Sequence, residues 1–348
     1  MFELSKVIRQ HLLALTPYSS ARDEYAGKEG IFLDANENPF GAASGKAHNR
    51  YPDPYQFDVK QQITKLKGLT HQQIFLGNGS DEPIDLLIKA VCEPQKDNII
   101  ILPPTYGMYQ VCADIQNVET IKVPLTVDFQ LDVAKVLSAV TQNTKMIWVC
   151  SPNNPSGNCI ERDAIISLLR AFNQGIVVID EAYIDFADSP SFIGELDNYK
   201  NLVVLQTFSK AWGLAGLRLG MAFASPEIIQ VLNKIKYPYN INILTQQTLL
   251  KALKQEALKN KMVVEILEQR IFLEAELAKN SLVKHIFPSD SNMLLVKFEG
   301  PKRVFDALIE KKVIVRDRSK VMLCDGCLRI SVGTEAENKA LLAALLDI

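Results

Sequence analysis

Short apolar runs alternate with amphipathic stretches through the first two thirds of the chain. Segments 73–76, 98–102, 146–150, 176–179 and 202–207 are mostly Ile, Val and Leu, the composition of strands buried on both faces. Between most of them apolar positions recur at helical spacing, as in 83–91, where a proline opens the pattern. This alternation predicts an α/β fold, a mainly parallel, doubly wound sheet with crossover helices, and such sheets bind ligands outside the carboxyl ends of their strands. Segment 245–280 has helical spacing throughout and predicts one long helix or two. Beyond residue 282, a strand pattern at 293–298 and a helical one at 303–310 predict a smaller α+β domain. The expected division is a large domain over 30–244 and a small domain formed by the N-terminal arm, 1–29, with 245–348.

Composition narrows the function classes. The 348 residues are 47% hydrophobic, enough for a sizeable core. With 38 basic against 40 acidic residues, no global field exists to hold nucleic acid or an anionic membrane, so any anion must be met locally. The N-terminus lacks a cationic flank followed by an apolar core, and no apolar run reaches membrane-spanning length, so a soluble, cytoplasmic protein is expected. Six scattered cysteines point to free thiols. Cys324 and Cys327 form a lone CxxC without a second pair or a nearby histidine, which reads as two thiols flanking a tight turn. No metal site is expected.

The candidate chemistry falls at strand ends. After strand 202–207 comes Ser209-Lys210, followed by a glycine-rich turn to Arg218. A lysine alone there is an ordinary solvated loop residue. Beside a second cation its amine loses basicity and becomes a nucleophile suited to Schiff-base chemistry, while Ser209 and Arg218 are phosphate ligands by type. Asp180 ends strand 176–179 and precedes Glu181-Ala182-Tyr183; a carboxylate there either caps a helix or serves a cation. Gly79-Ser80-Asp81 joins a strand to helix 83–91, so free amides at that helix start form an anion site. Asn154 lies in a turn, Ser151 to Gly157, after strand 146–150. Arg329 is the one charged residue in the alternating run Cys327 to Gly333, and Arg316 stands thirteen residues before it.

Taken together, the lysine stretch, Asp180-Glu181-Ala182-Tyr183 and the asparagine turn resemble the pyridoxal-phosphate-dependent aminotransferases of fold type I, class II. The resemblance runs from Asp34-Ala35-Asn36-Glu37-Asn38-Pro39 to Gly333-Thr334. It implies pyridoxal 5′-phosphate as cofactor, with Lys210 as its covalent attachment point and the catalytic acid and base. Asp180 then partners the ring nitrogen, Tyr183 and Asn154 the phenolic oxygen, and Tyr106 stacks on the ring. Gly79, Ser80, Asp81, Ser209 and Arg218 hold the phosphate. Tyr51 corresponds to a tyrosine that reaches the cofactor phosphate of a neighbouring subunit, which implies a homodimer with shared sites. Within the family, the Asn36 motif, Arg50-Tyr51-Pro52-Asp53-Pro54 and the Arg316–Arg329 spacing look most like the histidinol-phosphate aminotransferase branch. That likeness implies Tyr18, Asn36, Arg316 and Arg329 as substrate ligands and a small-molecule amino donor with a 2-oxo acid acceptor. Aromatic aminotransferases, a threonine-phosphate decarboxylase and a non-enzymatic cofactor-binding module share the fold, and sequence leaves them open.

Overall fold

The structure is a computed structural model that describes residues 2–19, 29–45 and 48–348. Seven strands form the large sheet: β1 (Ile74–Asn78), β2 (Asn98–Ile101), β3 (Glu119–Lys122), β4 (Thr144–Cys150), β5 (Ile176–Asp180), β6 (Leu202–Thr207) and β7 (Leu219–Ala224). Their order is β1-β7-β6-β5-β4-β2-β3, parallel except at β7, which pairs antiparallel with both neighbours. The five predicted strands are all present. The two that sequence reading passed over each have a physical reason. β3 is an edge strand, Glu-Thr-Ile-Lys, exposed at both ends and half-buried between, with little apolar signal. β7 follows β6 after only the turn 208–218, too short for the crossover that a parallel partner needs, so the chain returns antiparallel.

Side chains of each strand alternate between two cores. On one face Leu76, Ile147, Val177, Ile179 and Val204 pack with helices α3 (Phe57–Lys67), α6 (Val133–Ala139), α7 (Arg162–Ala171) and α9 (Ile243–Ala252). On the other, Phe75, Trp148, Val178 and Leu205 pack with α4 (Asp81–Val91), α5 (Met108–Ile115) and α8 (Pro226–Ile235). This double burial is why the strands read as nearly continuous apolar runs.

The N-terminal arm, expected with the small domain, packs elsewhere. In α1 (Leu4–Val7) and α2 (Gln10–Ala14), Val7, Ile8 and Leu12 are buried in the second large-sheet core. The Arg9 amide donates to the Ala90 carbonyl at 3.0 Å, the Arg9 side chain pairs with Glu93, and Lys234 Nζ caps the carbonyls of Leu12 and Leu13. Three apolar positions and the exposed ends of α4 and α8 satisfy each other there. The remainder of the arm, 20–28, lies outside the described residues. Near the expected boundary at 245, Leu249 of α9 and Leu253 pack in the first large-sheet core, which also takes in Leu295, Cys324 and Cys327.

Segment 245–280 resolves into two helices, α9 and α10 (Glu256–Leu277), joined by a 3-10 turn at Leu253–Gln255. Beyond it, β8 (Val283–Ile286), β9 (Met293–Phe298), β10 (Arg316–Asp317) and β11 (Cys327–Ser331) form an antiparallel sheet in the order β10-β11-β9-β8. It shares a separate core with the C-terminal end of α10, α11 (Pro301–Glu310) and α12 (Glu335–Leu346), through Leu273, Val296, Leu308, Leu328 and Leu341. Cys324 and Cys327 flank a tight turn closed by the Cys327 amide on the Cys324 carbonyl at 2.9 Å, and both thiols are free. No helix among the described residues is long and apolar enough to cross a membrane.

Candidate active site

The loops after β1, β2, β4, β5 and β6, five strands running the same way, converge on a cavity of about 720 Å3 between the two sheets. Gly79, Ser80, Asp81, Tyr106, Asn154, Asp180, Tyr183, Ser209, Lys210 and Arg218 line it from the large sheet, and Arg316 and Arg329 from the small one. Twelve residues drawn from 79 to 329 in sequence thus share one chamber. Tyr18, Asn36 and Tyr51 do not join them. Tyr18, 75% exposed, lines a small separate pocket with Tyr55, Lys234 and Lys236. Asn36 is exposed, with its backbone in the left-handed region at φ 54°. Tyr51 is half exposed and stacks on Tyr239 at 4.4 Å between ring centroids. Glu37 ties the two flanking motifs together, accepting from Arg50 Nη1 and the Tyr51 amide, both at 2.6 Å.

At the floor, Asp180 is 2% exposed. Its Oδ2 accepts from the Tyr109 hydroxyl at 2.6 Å and its Oδ1 from the Ala182 amide at 3.1 Å. Burial raises its pKa above the usual carboxylate range, and these two hydrogen bonds pull it back. Tyr109 in turn stacks on Trp148 at 4.8 Å, so the donor is held rigidly. Asn154 has its orientation dictated from outside: Arg329 Nη1 donates to its Oδ1 at 2.6 Å. A guanidinium only donates, so the amide must present oxygen to Arg329, which turns Nδ2 toward the Tyr183 hydroxyl at 3.2 Å.

Lys210 follows β6 and lies with its Nζ 5.4 Å from the Tyr183 ring centroid. The residue is exposed through the cavity mouth, yet loss of water around its amine, reinforced by Arg329 and Arg218, lowers its pKa below the ordinary lysine value, against the pull of Asp180. At the other end, Arg218 Nη2 lies 3.3 Å from Asp81 Oδ2, and the Tyr106 hydroxyl donates to Asp81 Oδ1 at 3.0 Å. The Gly79 amide is taken by the Arg218 carbonyl at 2.8 Å, so Gly79 contributes space and the Ser80 and Asp81 amides remain as the donors of the helix start. Gly79 itself has φ 69°, in the left-handed region that favours glycine, and a Cβ on Gly220 would collide with the backbone of Gly79 and Ser80.

Sequence reading missed Tyr109 and Arg318. Tyr109 reads as one more core aromatic in α5, since its polar partner is 71 residues away. Arg318 lines the cavity two residues beyond Arg316, and strand alternation alone places it on the same face.

Comparison with known proteins gives the family. The chain is 58% identical over 344 residues to a protein of Cytophaga hutchinsonii named histidinol-phosphate aminotransferase, covering 99% of each. Among solved structures, the histidinol-phosphate aminotransferase of Clostridium acetobutylicum is 26% identical, with a TM-score of 0.79 over 86% of this chain and 90% of that one. That of Sinorhizobium meliloti, solved in complex with pyridoxal-5′-phosphate, shares the fold at 23% identity and a TM-score of 0.80, over 97% of this chain and 96% of that one. The profile described as aminotransferase class I and II matches residues 25–345, a span that takes in every cavity residue. The chain belongs to the aminotransferase class I and II family.

Proposed function

We propose that the chain is a cytoplasmic, homodimeric enzyme of histidine biosynthesis that moves an amino group between L-histidinol phosphate and 2-oxoglutarate, with pyridoxal 5′-phosphate as cofactor. The cavity fits that cofactor chemically. It offers a buried carboxylate for a protonated ring nitrogen in Asp180, an aromatic wall in Tyr106, and a cationic, amide-rich end for a phosphate at Ser80, Asp81, Ser209 and Arg218. When bound, the cofactor supplies the electron sink that acidifies the substrate's Cα–H. Asp180 keeps the proton on the ring nitrogen. Lys210, its amine less basic than usual, would be the base that takes the substrate's Cα proton and the acid that returns it. Asn154 and Tyr183 hold the ring's phenolic oxygen, and Arg329 the α-carboxylate of glutamate, the second amino donor.

The observation that carries the substrate choice is the pairing of Arg316 directly opposite Arg329 across β10 and β11. Two guanidinia on one cavity wall suit the doubly charged phosphate of histidinol phosphate, or the two carboxylates of glutamate, and an aromatic amino acid brings a single negative charge. Tyr51, outside the cavity of its own chain, is assigned to that of a second copy, and Tyr18 and Asn36 to the same shared site. Three large apolar side chains left almost fully exposed, Ile31, Leu33 and Phe40 at 92%, 86% and 99%, support that assembly. The test is a single turnover of the yellow loaded enzyme with histidinol phosphate, phenylalanine or threonine phosphate, following absorbance and carbon dioxide. Histidinol phosphate should bleach the absorbance without releasing carbon dioxide. Conversion by phenylalanine alone refutes the substrate choice, and carbon dioxide release from threonine phosphate refutes the reaction.

A further inference from the structure

The small-sheet wall of the cavity carries one cation more than the chemistry above uses. Arg316 pairs with Arg329 and Asp317 with Leu328, and the ladder continues where the Arg318 amide donates to the Cys327 carbonyl at 2.9 Å. Side chains alternate along a strand, so Arg316 and Arg318 lie on the face that carries Arg329. Asp317, which might otherwise neutralise them, is turned to the opposite face, where its Oδ1 accepts from the Ser319 amide and hydroxyl at 2.8 and 2.6 Å. Among the described residues, no carboxylate stands within ion-pair distance of any of the three arginines. Arg318 Nε is buried without a hydrogen-bond partner. The nearby Cys324 supplies no counter-charge, because burial pushes its thiol up to about 12. Like charges facing each other across a ladder weaken it, so this arrangement persists for an anion yet to be named.

We propose that Arg318 is a specificity-determining residue: with Arg316 it grips the distal phosphate monoester of the amino donor and makes the site prefer that dianion over the γ-carboxylate of the second substrate. The proposal rests on the substrate reading given above. A carboxylate has one charge and two oxygens, which a single guanidinium fork satisfies in bidentate fashion. A phosphate monoester carries about −1.5 to −2 at pH 7 and three acceptor oxygens, so a second fork finds both charge and acceptors. With a carboxylate in place, one of the two forks is left unused.

The test compares Arg318→Gln and Arg318→Lys with the unaltered holoenzyme. Each half-reaction is measured separately, and inorganic phosphate is titrated as a competitor of glutamate. A hydrogen-bonded charge pair amounts to about a 10- to 100-fold change in affinity. Arg318→Gln should therefore weaken histidinol phosphate and inorganic phosphate at least tenfold more than it weakens glutamate, and Arg318→Lys should recover part of that difference. The apparent affinity for histidinol phosphate should rise with pH as the ester passes its second ionisation near pH ~6, and this rise should flatten in Arg318→Gln. Equal losses for phosphate and glutamate, or unchanged inhibition by phosphate, overturn the proposal. If the unaltered enzyme ignores histidinol phosphate but is inhibited by inorganic phosphate, and Arg318→Gln relieves that inhibition, the substrate reading fails while the role of Arg318 in binding a dianion stands.

Discussion

Replacing Tyr109 with Phe removes one hydroxyl beneath the site, which also contacts the Cys150 thiol, and retains the ring that stacks on Trp148. That hydroxyl donates at 2.6 Å to a carboxylate that is 2% exposed. A hydrogen bond to a charged group contributes about 1.5–3 kcal/mol, and at about 1.4 kcal/mol per pKa unit its loss raises the Asp180 pKa by roughly one to two units more. Asp180 already titrates above its unfolded value because burial disfavours the charged form. A raised carboxyl holds its proton in the fold where the unfolded chain has released it. Its contribution to stability is therefore greatest below the unfolded value, near pH ~4, and is lost as pH rises through the folded one. The cofactor-free Tyr109→Phe protein should be destabilised by about 1.5–3 kcal/mol at pH 8, less at pH 5, in chemical denaturation. In an Asp180→Asn background the same substitution should cost markedly less, because a neutral amide needs the donor less. Loading with pyridoxal phosphate should narrow the gap by giving Asp180 a counter-charge. A cost that is the same at pH 5 and pH 8, and the same with Asp180→Asn, would refute this account of how Asp180 is held ionised.

Two further substitutions test the packing around the site. Lys60 is buried on α3, and burial followed by repulsion from Lys236 lowers its pKa from 10.5 to about 8. Its stability contribution is undiminished above pH 10.5, falls as pH drops toward 8, and below 8 carries the whole penalty of about 3 kcal/mol. Lys60→Met should therefore stabilise the protein at pH 7 by up to that amount, with the gain vanishing in denaturation curves taken near pH 10.5; a gain independent of pH would contradict the assignment. Gln206 Nε2 donates at 2.9 Å to Oε2 of the buried Glu181, which also accepts from Ser191 and the Phe192 amide. Gln206→Leu should cost about 1–3 kcal/mol at pH 7, read as a lower denaturation midpoint, and an unchanged midpoint would show that solvent replaces the lost donor.

Much of the site was legible because the fold makes it local. In a doubly wound sheet the residue after each parallel strand faces the ligand, so finding the strands 146–150, 176–179 and 202–207 placed Asn154, Asp180 and Lys210 without knowledge of any contact. Signals that depend on distant partners were not legible. Val7, Ile8 and Leu12 form an apolar stripe whose destination is set by what α4 and α8 leave uncovered, which no local pattern records. The antiparallel return into β7 was hidden because it begins directly after the turn to Arg218, with no break in the pattern to mark a new strand. Tyr18, Asn36 and Tyr51 lie outside the cavity of one chain, so the family pattern carries their roles and the geometry of a single copy does not.

The chain's net charge of −2 gives no hint of a chamber lined by five cations, Lys210, Arg218, Arg316, Arg318 and Arg329, against two carboxylates, Asp81 and Asp180. The cations divide by origin. Lys210 and Arg218 come with Asp180 from the large sheet, at positions set by strand ends that every doubly wound sheet provides. Arg316 and Arg329 come from two short strands of the small sheet, and Arg318 from the residue just beyond the first, at positions set by a cross-strand register. A one-residue slip of that register would turn Arg316 and Arg318 away from Arg329 without disturbing Lys210. On the reading proposed above, one sheet sets the reaction type and the other the choice of anion. A substrate contacts both only by bridging the cleft between them, so on that reading substitutions in 316–329 should alter which amine is taken while leaving the proton transfer proposed for Lys210 unchanged in form.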